Sequence, residues 1–85
     1  LTRPKLIVGE NQTRQNRRRK QMTLAEKILF LRKREGLSQE ELAEQLELSR
    51  QAIYKWECGE SVPSIDKIKS LAALFHVSFD YLMND

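Results

Sequence analysis

The apolar positions of this chain recur at three- and four-residue intervals, and alternation of the strand type is absent. From residue 23 onward the pattern predicts five short helices. Thr23 and Glu26 form a capping box, and Ala25, Ile28, Leu29 and Leu31 give the first apolar stripe. Gly36 ends that helix, as a residue at ease in left-handed geometry should. Ser38 and Glu41 repeat the box and open a second helix that turns Leu42, Ala43 and Leu46 inward. A short turn at Glu47 and Leu48 leads to Ser49, the cap of a third helix, which Gly59 terminates. After the loop Glu60–Pro63, Ser64 caps a fourth helix with Ile65, Ile68, Leu71, Ala72 and Phe75 as its buried side. Ser78 caps a fifth, whose Phe79, Tyr81 and Leu82 complete the core. The expected fold class is all-α, a compact five-helix domain.

The third helix is built with two unlike faces. Ala52, Ile53 and Trp56 fall on the hidden side, so Trp56 reads as a core anchor. Arg50, Gln51, Tyr54 and Lys55 fall on the other. A helix anchored on one side and reading base edges on the other has this form. Arginine can donate twice to guanine O6 and N7, and glutamine can pair with adenine N6 and N7. Lys55 suits a phosphate or a guanine; Tyr54 suits a thymine methyl or a phosphate. An ordinary solvated helix face has the same residue types, so composition alone leaves both readings open.

Charge changes the picture because it is divided. The net charge is +3, but residues 1–21 hold seven basic residues and one acid, and residues 22–85 hold eight basic and eleven acidic residues. The tail is therefore +6 and the domain −3. DNA binding by the domain must rest on local placement of charge, not on its overall sign. The run Arg17-Arg18-Arg19-Lys20 suits phosphates or a minor groove. Residues 1–21 read either as a mobile basic arm or as an extension added before Met22, which directly precedes the first cap signal. The acids Glu40, Glu41, Glu44 and Glu47 would repel a phosphate backbone lying along the second helix, so that helix should approach DNA end-on, by Gln39.

Other chemistries find little support. No apolar run is long enough to cross a membrane and no secretory pattern opens the chain. Cys58 is the sole cysteine and His76 the sole histidine. No nucleophile–base set, phosphate-cradling glycine loop or metal-ligand spacing is present, so no enzyme, cofactor, metal or small-molecule substrate is expected. Single-cysteine usage fits a reducing, cytoplasmic setting.

Taken in order and at their spacings, several segments resemble the phage Cro/repressor-type helix-turn-helix family, also called the xenobiotic-response-element family. They are Arg32, the Gly36–Ala43 run GLSQEELA, Ile53, the Trp56–Gly59 block WECG, Pro63, Leu71-Ala72 and the closing Val77-Ser78-x-Asp80-x-Leu82. The resemblance covers residues 24–83. It implies a lambda-repressor-like domain whose second and third helices form the helix-turn-helix. It implies that Gln39 touches a phosphate and braces a side chain at the start of the recognition helix. It places Arg50 and Gln51 at base-reading positions, Tyr54 and Lys55 over the same groove, and Ser49 at a phosphate. It pairs Arg32 with Glu57 as a structural tie. Glu47 departs from the family, which often has Gly there because the turn can require positive φ; a non-Gly residue costs about 1 kcal/mol.

The expected function is a sequence-specific double-stranded DNA-binding transcriptional regulator, a homodimeric repressor that occupies a promoter and reads the major groove with the helix near 49–58. Two recognition helices would sit about 34 Å apart on a pseudo-palindromic site. Phe79, Leu82 and Met83 are the candidate dimer surface. The alternative is a protein-interaction module, antitoxin-like or a co-regulator, on the same fold; the −3 charge of residues 22–85 favours it. A third reading assigns the basic arm to RNA.

Overall fold

A computed structural model describes residues 22–84, and the basic run Arg17–Lys20 lies outside the described residues. The described chain forms five helices: α1 (Leu24–Arg34), α2 (Gln39–Gln45), α3 (Arg50–Cys58), α4 (Ile65–Phe75) and α5 (Phe79–Met83). Each begins at a hydroxyl cap read from the sequence. Thr23, Ser38, Ser49, Ser64 and Ser78 all accept from the backbone N–H three residues on. At Thr23 and Ser38 the glutamate at the third helical position also reaches back to the cap's own N–H, at 2.9 and 2.8 Å, completing both boxes.

The first four helices stop in the same way. A residue one or two positions past the end of each helix turns left-handed, and two backbone bonds close the end in a Schellman motif. After α1, Gly36 N–H donates to Lys33 O and Leu37 N–H to Arg32 O, both at 3.0 Å. The same pair of bonds recurs at Glu47-Leu48, Gly59-Glu60 and His76-Val77. Gly36 and Gly59 take φ of 73° and 80° at no steric cost, but Glu47 and His76 must hold 59° and 58° with a Cβ in place. The Glu47 turn thus has the positive φ that the family's usual glycine would suit. Leu37, Leu48 and Val77, one residue further on, fold back against the core.

The core is one cluster drawn from every helix: Ile28 and Leu31 of α1, Leu42 and Ala43 of α2, Ile53 and Trp56 of α3, Ile68, Leu71, Ala72 and Phe75 of α4, and Leu82 of α5, with Leu46 closing α2. Trp56 is 7 % exposed, the core anchor expected of it. Two expected core residues lie elsewhere. Ile65 is 52 % exposed: it continues the α4 stripe by one turn, but helical side chains lean toward the N-terminus, and there it projects past the end of the core. Tyr81 lies on the outer side of α5, its ring beside a lysine.

That lysine belongs to a feature that periodicity does not reveal. α2, α4 and α5 have no basic residue in their last turn. Each has a cation supplied by another helix. Lys67 of α4 donates to Leu46 O at the end of α2, at 2.9 Å. Arg34 of α1 donates to Phe75 O at the end of α4, at 3.1 Å. Lys27 of α1, itself buried, donates to Tyr81 O at 2.6 Å and to Asn84 O, and lies 4.8 Å from the Tyr81 ring centroid. These cations satisfy orphan carbonyls at the negative ends of the helix dipoles and tie the helices to one another.

Candidate DNA-binding surface

α2 and α3 pack against each other across the four-residue turn Leu46–Ser49. The back of α3 is fixed: Ile53 is fully buried, Trp56 nearly so, and Ala52 half-buried. Arg50, Gln51, Tyr54 and Lys55 are all exposed along its outer face, as their spacing predicts. Ser49 is exposed, and its hydroxyl accepts from the Ala52 N–H at 3.3 Å. It stands at the N-terminus of α3, and a helix N-terminus favours an anion.

Gln39 opens α2 and meets α3 at its start. Its Oε1 accepts from Arg50 Nη1 at 3.2 Å, so the brace implied by the resemblance is formed. Its Nε2 donates to Glu57 Oε1 at 3.0 Å, a contact that neither pattern nor resemblance indicated. Glu57 also receives Arg32 in a two-point pair, Nε to Oε2 at 2.6 Å and Nη2 to Oε1 at 3.0 Å. Arg32 adds a bond from Nη1 to Leu37 O at 2.8 Å. The side chains of this pair are 11 % and 5 % exposed, so the tie is buried, not superficial. In such a place removing one partner strands the other, at a cost of about 3–5 kcal/mol.

Tyr54 is exposed, and its phenol is pushed above the ordinary tyrosine range, first by the neighbouring Cys58 side chain and then by the charge of Glu60. Cys58 is exposed one turn below it. Among the described residues no group of three His, Cys, Asp or Glu side chains is placed to hold a metal ion, and no helix is long and apolar enough to cross a membrane.

Two helices in a tight bend, the second with a buried back, a polar front and a braced arginine at its head, define a helix-turn-helix unit. The helix-turn-helix family matches residues 28–82 of the chain, which therefore belongs to the Cro/repressor-type, or xenobiotic-response-element-type, helix-turn-helix family. Among curated proteins the chain is similar to the HTH-type transcriptional activator BcrR of Enterococcus faecalis, with 43 % identity over 63 residues. That match covers 74 % of this chain and 31 % of the relative, so the chain spans about a third of the relative's length. Family and relative support a DNA-binding transcription regulator.

Proposed function

We propose that the domain reads a short double-stranded DNA site with α3 in the major groove. Arg50 and Gln51 contact base edges, Lys55 and Tyr54 contact the next base or its phosphate, and Gln39 and Ser49 anchor the backbone at the helix starts. The observation that supports this reading is the braced head of α3: Gln39 holds Arg50 at 3.2 Å on an exposed face whose reverse is locked into the core. A side chain fixed before contact loses less freedom on binding. If residues 1–21 are native, Arg17, Arg18, Arg19 and Lys20 add phosphate or minor-groove contacts. The protein acts as a homodimer, in the cytoplasm, at a promoter.

Of the three side chains the sequence suggests for a dimer contact, Leu82 is 2 % exposed and Phe79 is partly buried against the core, which leaves Met83 the most accessible. On α5 Met83 and Tyr81 are the exposed apolar side chains, and we place the dimer contact there. The relative is named an activator, whereas occupying a promoter by itself predicts repression. A promoter–reporter assay gives the sign.

The test uses a duplex selected by the full chain from a randomised pool, followed by methylation interference at guanine N7. Two interfering clusters about 34 Å apart are expected, one for each α3 of a dimer. A single cluster refutes the dimer, and the absence of any interference at guanine N7 refutes the placement of α3. The protein-interaction reading draws on the acidic stripe of Glu40, Glu41, Glu44 and Glu47, all exposed. It predicts that Arg50→Ala/Gln51→Ala leaves regulation intact.

A further inference from the structure

We propose that Glu57, which lies on the core side of α3, is a positioning residue for base specificity and acts through the amide orientation of Gln39. The inference rests on the reading of α3 as the base-reading helix. A carboxylate only accepts hydrogen bonds. Glu57 is held in place by the two-point contact with Arg32, which donates to both of its oxygens, and its Oε1 lies 3.0 Å from the Gln39 amide. The Gln39 atom facing it must therefore be the NH2 group. That choice turns the amide carbonyl outward, and the carbonyl is the atom that accepts from Arg50 Nη1. A guanidinium only donates, so it can be braced by the carbonyl but not by the NH2.

The chain Arg32–Glu57–Gln39–Arg50 thus runs from a buried ion pair to the head of the exposed face, and every link has a compulsory donor and acceptor. Its consequence is directional. One N–H of Arg50 is committed to Gln39, and the remaining fork is aimed outward, free for the O6/N7 pair of a guanine. With the amide reversed, two donors would face each other and Arg50 would leave its position. Lys55 and Gln51 make no bond to this chain, so only the base pair beneath Arg50 should depend on it.

The experiment measures per-position base preference by binding and sequencing of a randomised duplex pool, with thermal melting alongside. The full chain is compared with Gln39→Met, Glu57→Gln and Arg50→Ala. Gln39→Met removes the brace and leaves the Arg32–Glu57 pair in place; Glu57→Gln supplies a donor that permits the reversed amide. In both, preference at one base pair of each half-site is expected to fall about fivefold, the lower end of what a bidentate arginine contact discriminates. Preference at the other positions stays as in the parent. On an Arg50→Ala background neither substitution lowers preference further, because all three act on one contact. An unchanged preference at that base pair in a folded Gln39→Met overturns the proposal. So does an equal loss at every position, which would mark a purely structural role. If Arg50→Ala itself leaves every preference unchanged, the reading of α3 fails and the proposal falls with it.

Discussion

Replacing Lys27 with methionine isolates the interaction that holds the shortest helix in place. Methionine keeps the apolar stem of the side chain and removes the ammonium group. In the parent that group donates to Tyr81 O at 2.6 Å and to Asn84 O, with the Tyr81 ring beside it. Bonds from a charged donor contribute about 1.5–3 kcal/mol each, and the stranded carbonyls add a desolvation cost. Against this, the variant no longer has to bury a charge, which offsets part of the loss. A net destabilisation of about 2 kcal/mol results. For a domain of this size each kcal/mol corresponds to about 4–8 °C, so the melting midpoint should fall by about 8–16 °C. α5 has five residues and little helix stability of its own, so Leu82 should become exposed as α5 frays. The assay is thermal melting followed by circular dichroism at 222 nm, with amide hydrogen exchange of α5 as the local readout. Tyr81→Phe is the control: it keeps both the ring and the backbone carbonyl and should melt within about 0.5 kcal/mol of the parent. A Lys27→Met midpoint within about 2 °C of the parent would refute the reasoning, as would unchanged exchange in α5.

Glu47→Gly should stabilise the fold by about 0.5–1 kcal/mol, because it relieves a positive φ at the cost of some unfolded-state entropy; a lower urea midpoint would contradict this. Cys58→Ala should bring the Tyr54 phenol back toward the ordinary tyrosine range, since Cys58 is the first cause of its upward shift. Ultraviolet titration against a Tyr54→Phe reference reads this directly, and an unmoved titration would discount the Cys58 contact. Lys55→Ala should flatten the dependence of log K on log salt by about one unit if it meets a phosphate. A loss of base preference with an unchanged slope would assign it to a guanine instead.

Local signals carried most of the fold. Every helix start was legible because a hydroxyl cap acts within three residues, and the stops at Gly36 and Gly59 were legible because few residues tolerate their φ. The outer face of α3 was legible from its 3.6-residue period. The stop at His76 carries no such mark, because a histidine there is left-handed through its surroundings and not through its own preference. Ile65 misled because periodicity says which side of a helix is apolar but not where the core ends. Lys27 and Lys67 reach carbonyls 54 to 57 and 21 residues away, a pairing that depends on how the helices are stacked. The Gln39–Glu57 bond was missed for the same reason. The resemblance indicated each residue's separate tie, but only the packed helices bring the amide and the carboxylate to 3.0 Å.

The central claim is that the exposed face of α3 reads bases. It is tested most directly by selecting binding sites from a randomised duplex pool with the full chain and with the Arg50→Ala/Gln51→Ala variant, at two salt concentrations. The account predicts that the parent enriches a dyad-symmetric sequence, while the variant keeps only salt-sensitive binding without sequence preference. Enrichment of the same sequence by both proteins, or of none by the parent, would contradict it.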